Sequence, residues 1–303
     1  MGVRDFSRQL TDPNSPHLRR RRAAYALPTL FTAGNVFLGF VSIMQSFQGA
    51  MLVSGGYTGP NSHFAAAALA IGWAFLLDGL DGRIARLTNT TSEFGREMDS
   101  LADVITFGIA PAVLAFAWGA QFAIASAPFE WRDHLRRLAY FVPFLFLLCG
   151  AARLARFNIQ KDPVPKNPGR PGRKYFVGLP IPASAAMVGA VVYAAEGTPI
   201  AWWPLTVAWL CLLALLSFLM VSTWRYRSFK DLQLLRPRPW LIVVFWGSVI
   251  YLIWTYPQPA LLGLACAYVA SGIMVRLGGI LRRMMHKREQ GLKPLDDGAV
   301  RHG

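Results

Sequence analysis

The sequence predicts an all-α fold, a polytopic membrane helix bundle of about eight transmembrane helices. Three observations predict it. Hydrophobic residues fill 54% of the 303 positions and charged residues only 16%, against about 25% in soluble domains, with a mean hydropathy of +0.35. Apolar stretches recur at the length of a bilayer crossing, about 20 residues. Finally, 28 of the 31 Lys and Arg fall on one side of the alternating layout those stretches impose.

The stretches lie at roughly 27–48, 63–86, 97–119, 138–157, 180–195, 204–222, 239–256 and 258–281, judged by the length of a crossing. The first follows Arg19-Arg20-Arg21-Arg22 and is long enough to span, so it reads as an anchor and not a cleavable signal. The second, fourth and sixth qualify on length and apolarity. The third opens on carboxylates. The fifth is short and rich in Ala and Gly, with Pro180 and Pro182 as helix-start punctuation. The last two are separated by a tight turn at Pro257, as antiparallel neighbours are.

Eight crossings put both termini on one side. The three basic residues of the opposite loops are Arg132, Arg136 and Arg137. This asymmetry is the positive-inside signature and places the termini in the cytoplasm. The net charge of +15 is therefore a topology signal, and nucleic-acid binding has little left to explain. The Arg19–Arg22 run reads as topology plus attraction to anionic headgroups. The expected organisation is a flexible basic tail over 1–24, a membrane domain over 25–285 and a second flexible cytoplasmic tail over 286–303. Cys149, Cys211 and Cys266 fall in apolar runs without metal-ligand spacing and read as buried hydrophobes. None of the five histidines lies in a motif.

Chemistry concentrates in Asp78-Gly-Leu-Asp81-Gly82-Arg-Ile-Ala85-Arg86 and, eight residues on, Gly95-Arg-Glu-Met-Asp99-Ser-Leu-Ala-Asp103. Asp78 and Asp81 are spaced i,i+3, and Asp99 and Asp103 i,i+4, so each pair shares a helix face. Two antiparallel helices then bring four carboxylates to one depth. Four anions near a bilayer are costly unless compensated, and two divalent cations match their charge. Oxygen-only ligands suit Mg²⁺ or Mn²⁺. Gly82 and Gly95 clear space for a nucleotide or a neighbouring helix, and Arg86 can grip a pyrophosphate. Capping or ion pairing with Arg83, Arg86 and Arg96 accounts for one or two of these aspartates, not four.

The pattern D-x2-D-G-x2-A-R-x8-G-x3-D-x3-D resembles the signature of the CDP-alcohol phosphatidyltransferase family at every fixed position. The resemblance implies a six-helix catalytic core, here about 27–230, with two extra helices at about 239–281. It implies one metal on Asp78, Asp81 and Asp99, a second on Asp78, Asp99 and Asp103, and Asp103 as general base. Family positions matching Gly82, Arg86 and Ser92 contact the CDP-lipid. The expected CDP-diacylglycerol site takes in Asn35, Gly82, Ala85, Arg86, Ser92 and Gly95. Asn35 equally suits an interhelical hydrogen bond. Homodimers are usual in the family.

Further segments are similar to the membrane-type phosphatidylserine synthase branch of that family. They are Leu27–Asn35, Asp99–Pro111, Cys149–Asn158, Phe176–Pro182 and Ser222–Lys230. Thr29 departs from the Asn expected in many relatives. The resemblance implies transfer of a phosphatidyl group from CDP-diacylglycerol to L-serine, giving phosphatidylserine and CMP, at the cytoplasmic face of a prokaryotic cell membrane. Serine needs a cation for its carboxylate, and Arg153, Arg156 and Asn158 at the end of the fourth crossing are the candidates. Snorkelling to headgroups competes for both arginines. Arg156 and Asn158 fall nearest the boundary and are the favoured pair. Glycerol 3-phosphate, an inositol phosphate or choline is an alternative acceptor, and a divalent-cation transporter is the alternative outside enzymes.

Overall fold

The computed structural model describes residues 16–88, 93–159, 175–223, 225–227 and 239–291. Among them are nine α-helices: α1 Pro16–Ser54, α2 Ser62–Thr88, α3 Glu93–Asp103, α4 Ala110–Gly119, α5 Phe129–Ile159, α6 Ile181–Ala194, α7 Trp203–Val221, α8 Pro239–Thr255 and α9 Pro257–Gly291. A π-helical turn, Val104–Ile109, joins α3 to α4, and a 3₁₀ turn spans Ala123–Ser126. Strands β1 (Tyr175–Val177) and β2 (Arg225–Arg227) pair antiparallel, with Phe176 opposite Tyr226. The membrane helix bundle is thus as expected, and the short ladder is an addition to it.

Among the described residues, six helical stretches are long and apolar enough to cross a membrane. They correspond to the first four, the sixth and the eighth expected crossings. The fifth and seventh form shorter apolar helices, α6 and α8. At 14 residues, α6 rises only about 21 Å. Its Ile181, Ala185, Val188 and Val192 are fully buried, so other helices shield it and a lipid-spanning length is not required. Pro180 caps it, with a proline in its first turn, as the sequence predicts. It ends at Glu196 and Gly197, both with positive φ. Gly197 is needed there, because a side chain would strike the backbone of Asn61.

Lipid tails are as apolar as leucine, so membrane helices associate by close packing of small residues. Gly49 of α1 meets the Phe64 ring of α2, and Gly189 of α6 sits on the Ala68 backbone of α2. α5 packs on α7, and α9 packs on α6 and β2. Helical structure also reaches into both expected tails. α1 begins at Pro16 and α9 continues to Gly291. Proline is well placed at a helix start, and Lys287, Arg288, Glu289 and Gln290 are good helix formers.

Candidate active site

The end of α2 and the whole of α3 carry the aspartates. Asp78, Asp99 and Asp103 each present a carboxylate oxygen such that the three lie within 4.8 Å of one another. Asp81 lies one turn beyond Asp78 on α2, with Gly82, Ala85 and Arg86 following on the same helix; their side chains lie outside what the structure describes. Ser92 lies outside the described residues. Gly95 is half-buried in the first turn of α3.

Oδ1 of Asp99 is buried without a hydrogen-bond partner among the described residues. Arg96, one of the cations considered as a partner, pairs instead with Glu97 at 3.5 Å. Arg153 interacts electrostatically with Asp103. Among the described side chains, Asp78, Asp99 and Asp103 bring three carboxylates together, with the Arg153 guanidinium beside Asp103, a gathering of oxygens that suits a divalent cation. Mg²⁺ holds oxygens at about 2.0–2.1 Å, so ligands on opposite sides stand roughly 4 Å apart. At most one pair of the three can stand opposite, and adjacent ligands lie about 2.9 Å apart, so side-chain rotations would draw the three oxygens inward from their present spacing. The residues present therefore fit a cation held by Asp78, Asp99 and Asp103.

A hydrogen bond ties α3 to α5. The Asn158 amide of α5 donates to Ser100 Oγ at 2.9 Å, and that hydroxyl donates to the Arg96 carbonyl at 3.1 Å. Directly after Asp103 the helix widens. The Ala110 N–H reaches the Ile105 carbonyl, five residues back, and Pro111, without an N–H, follows. π-turns inside α-helices gather at functional sites. This one presents Thr106 Oγ1 to the Asn35 carbonyl at 3.0 Å. Gly39, one turn along α1, makes room, since a Cβ there would stand 2.7 Å from Thr106 Oγ1.

Asn35 is fully buried, and neither its amide oxygen nor its nitrogen has a partner among the described residues. The interhelical bond at this position is thus made by its backbone and not by its side chain. The arginines divide. Arg156 Nη1 donates to the Val221 carbonyl at 3.1 Å, clasping the end of α7 beside Gly178, whose φ is +77°. Asn158 is engaged with Ser100. Arg153 lies near Asp103, Arg156 and Tyr268, and its buried Nε has no partner among the described residues.

Sequence reasoning missed Ser100, Thr106 and Tyr268. The first two sit inside the recognised segment around the aspartates, so proximity to Asp99 and Asp103 was the signal. Tyr268 lies in a helix without any motif and left no signal.

Residues 25–221 match the family model described as CDP-alcohol phosphatidyltransferase. The chain is similar to proteins named CDP-diacylglycerol–serine O-phosphatidyltransferase in several organisms. A relative from Helicobacter pylori is 36% identical over 239 residues, covering 78% of this chain and 83% of the relative. One from Saccharomyces cerevisiae is 40% identical over 159 residues, 52% of this chain and 50% of that protein. One from Bacillus subtilis is 30% identical over 208 residues, 67% and 91%.

Proposed function

The chain belongs to the CDP-alcohol phosphatidyltransferase family, and on that premise we propose that it is a phosphatidylserine synthase, moving the phosphatidyl group of CDP-diacylglycerol onto the hydroxyl of L-serine. The observation that carries the proposal is the meeting of Asp78, Asp99 and Asp103 within 4.8 Å, with Arg153 at the edge of the cluster.

In the proposed reaction the serine oxygen bonds to the phosphorus attached to diacylglycerol, and the bond from that phosphorus to CMP breaks. Asp103 takes the hydroxyl proton. Asp78, Asp81, Asp99 and Asp103 hold two divalent cations, Mg²⁺ or Mn²⁺. Bound there, the cations would supply charge neutralisation for the pyrophosphate and the departing CMP. Gly82, Ala85, Arg86, Ser92 and Gly95 border the CDP-lipid, and the buried Asn35 amide offers its hydrogen bonds to the same ligand. Arg153 takes the serine carboxylate through a planar two-toothed grip. Arg156 and Asn158, favoured by sequence for that role, support it by fixing α7 and α3.

The excess of positive charge on one side of the layout supports a reading in which both termini and the site face the cytoplasm. Homodimerisation enters as what the family implies, and cross-linking in native membranes tests it. The deciding assay supplies purified protein with CDP-diacylglycerol, Mn²⁺ or Mg²⁺, and labelled serine, glycerol 3-phosphate, inositol phosphate or choline in turn. Label is expected in lipid with serine alone, with CMP released in equal amount. Labelled lipid from another acceptor, and none from serine, overturns the proposal.

A further inference from the structure

Arg132, Arg136 and Arg137 stand on the side of the bundle where positive charge is disfavoured, and all three fall near the start of α5. Arg132 is engaged with its own loop: its guanidinium donates to the Ala127 and Ala125 carbonyls at 2.9 and 3.0 Å. Arg136 and Arg137 are exposed. Beneath them lies the cavity of about 900 Å³ between α1, α4 and α5. Its floor includes Ala112, Ala117 and Ala139, all buried, and such small side chains leave the space open. One wall is the stacked pair Phe116 and Tyr140, with ring centroids 5.0 Å apart.

The lining runs from Phe47 to Ser54 on α1 and from Ala139 to Leu147 on α5, about 10–12 Å of helix rise. Half of a bilayer's hydrocarbon core is about 15 Å, so the groove has roughly the depth of one leaflet. That leaflet is the one away from the aspartates. Asn35 is bonded to the π-turn after Asp103, and Ser54 lies roughly 28 Å further along α1.

Arg136 is centred over this groove. Positions 136, 140, 143 and 147 share one face of α5, and the last three line the cavity. Helix side chains lean towards the N-terminus, so Arg136 reaches outward from the groove to headgroup level. Its Nη1 donates to Asp133 Oδ1 at 3.2 Å, an exposed pair of little worth that uses one of five donors. Phe129 and Trp131, 86% and 60% exposed, stand at the same level, where aromatic side chains mark the membrane–water boundary.

An apolar slot one leaflet deep accepts a hydrocarbon chain, and a guanidinium at its outer end accepts a phosphate. The stretch sets Glu130 and Asp133 against three arginines, so its charge is net positive and complements a lipid of net negative charge. We propose that this groove binds an anionic phospholipid of the leaflet opposite the aspartates, with one acyl chain over the alanine floor and the phosphate on Arg136. The site is separate from those of donor and acceptor, and it stands whichever alcohol is the acceptor.

The full chain in detergent micelles is titrated with phosphatidylglycerol or with phosphatidylcholine of the same acyl chains, and bound lipid is resolved by native mass spectrometry. Phosphatidylglycerol is expected to bind the more tightly. Arg136→Ala weakens phosphatidylglycerol about fivefold, the effect of one basic residue beside an anionic lipid, and leaves phosphatidylcholine unchanged. Val113→Trp, which fills the groove from a half-buried lining position, removes this lipid with either headgroup. Arg136 is exposed, so its variant carries the test if Val113→Trp does not fold. Equal affinity for the two lipids in wild type, an unchanged phosphatidylglycerol affinity in Arg136→Ala, or undiminished binding in folded Val113→Trp overturns the site. A dimer that Val113→Trp dissociates shows a second copy in the groove and overturns it too.

Discussion

Around Gly119, polar atoms buried between helices are mostly matched. Thr206 Oγ1 donates to the Gly119 carbonyl at 2.8 Å, and the Trp209 indole donates to the Ala115 carbonyl at 3.0 Å. Trp118 and Trp209 meet edge to face with centroids 5.1 Å apart; the Trp118 indole nitrogen is the exception without a partner among the described residues. Around Asp99, at the other end of the same run of helix, Asn35, Asp99 and Arg153 each bury a polar atom with no such partner. An unmatched buried polar group costs about 1–3 kcal/mol. Packing that tolerates several in one place, and few elsewhere, marks the place where a ligand completes the structure. Between the two ends, a cavity of about 900 Å³ opens among α1, α4 and α5, lined by groups such as Phe47, Phe116, Phe144 and Leu147. It is apolar, and none of the aspartates of the site lines it.

The contrast can be broken most severely at the aspartate end. Chelation by EDTA is expected to take transfer to background, and Mg²⁺ or Mn²⁺ to restore it, read as label in phosphatidylserine. Full turnover in rigorously metal-free protein removes cations from the site. Asp103→Asn comes next, with kcat falling about 10³-fold or more, since a general base contributes roughly 10²–10⁴ and the same carboxylate is a proposed ligand. The variant should keep its melting temperature and still bind CDP-lipid. Substantial turnover would take Asp103 out of the base role.

Arg153→Ala sharpens the comparison within the site. Its expected effect is a rise of roughly ten- to a hundredfold in the KM for serine, the worth of about 1.5–3 kcal/mol for a charge-assisted bond. Arg156→Ala should lower thermal stability and shift the serine KM less. If Arg156→Ala has the larger kinetic effect, the two roles are reversed. At the matched end, Gly119→Ala should do the opposite of all these. A Cβ there collides with the Trp209 indole, and overpacking costs about 1–3 kcal/mol, so the melting temperature drops while the KM values hold. Asn158→Ala is the mildest: loss of its bond to Ser100 loosens α3 by about 1 kcal/mol, seen as a few-fold fall in kcat with both KM values near wild type.

Much of this protein was legible in its sequence because membrane helices are governed by local composition. A stretch such as Trp203–Val221, without a charge and apolar but for Thr206 and Ser217, has no other stable disposition in a bilayer than a helix whose backbone bonds are internal. The aspartates were legible for a related reason. Carboxylates so close to a bilayer need compensation, and their spacings of three and four residues leave little choice of face. Pro180 and Pro182 marked the start of α6 through the fixed φ of proline.

Other features depended on what lies across the bundle. The length of α6 follows from its burial behind α2 and α9, and no count of apolar residues distinguishes a buried helix from a lipid-facing one. The π-turn after Asp103 arises where Gly39 lets α1 approach Thr106, a contact 67 positions away in sequence that local propensity cannot register. Arg153 and Arg156 carry the same side chain three residues apart. Sequence made them near equals and favoured Arg156 for its depth. The packing of α7 gave Arg156 a carbonyl at Val221, while the Arg153 Nε is buried without a partner among the described residues. Charge and periodicity along the chain determined which residues form the helices and carry the carboxylates. Which polar groups are matched and which remain for a substrate was decided only when the helices met, because a hydrogen bond is a property of two partners and their separation.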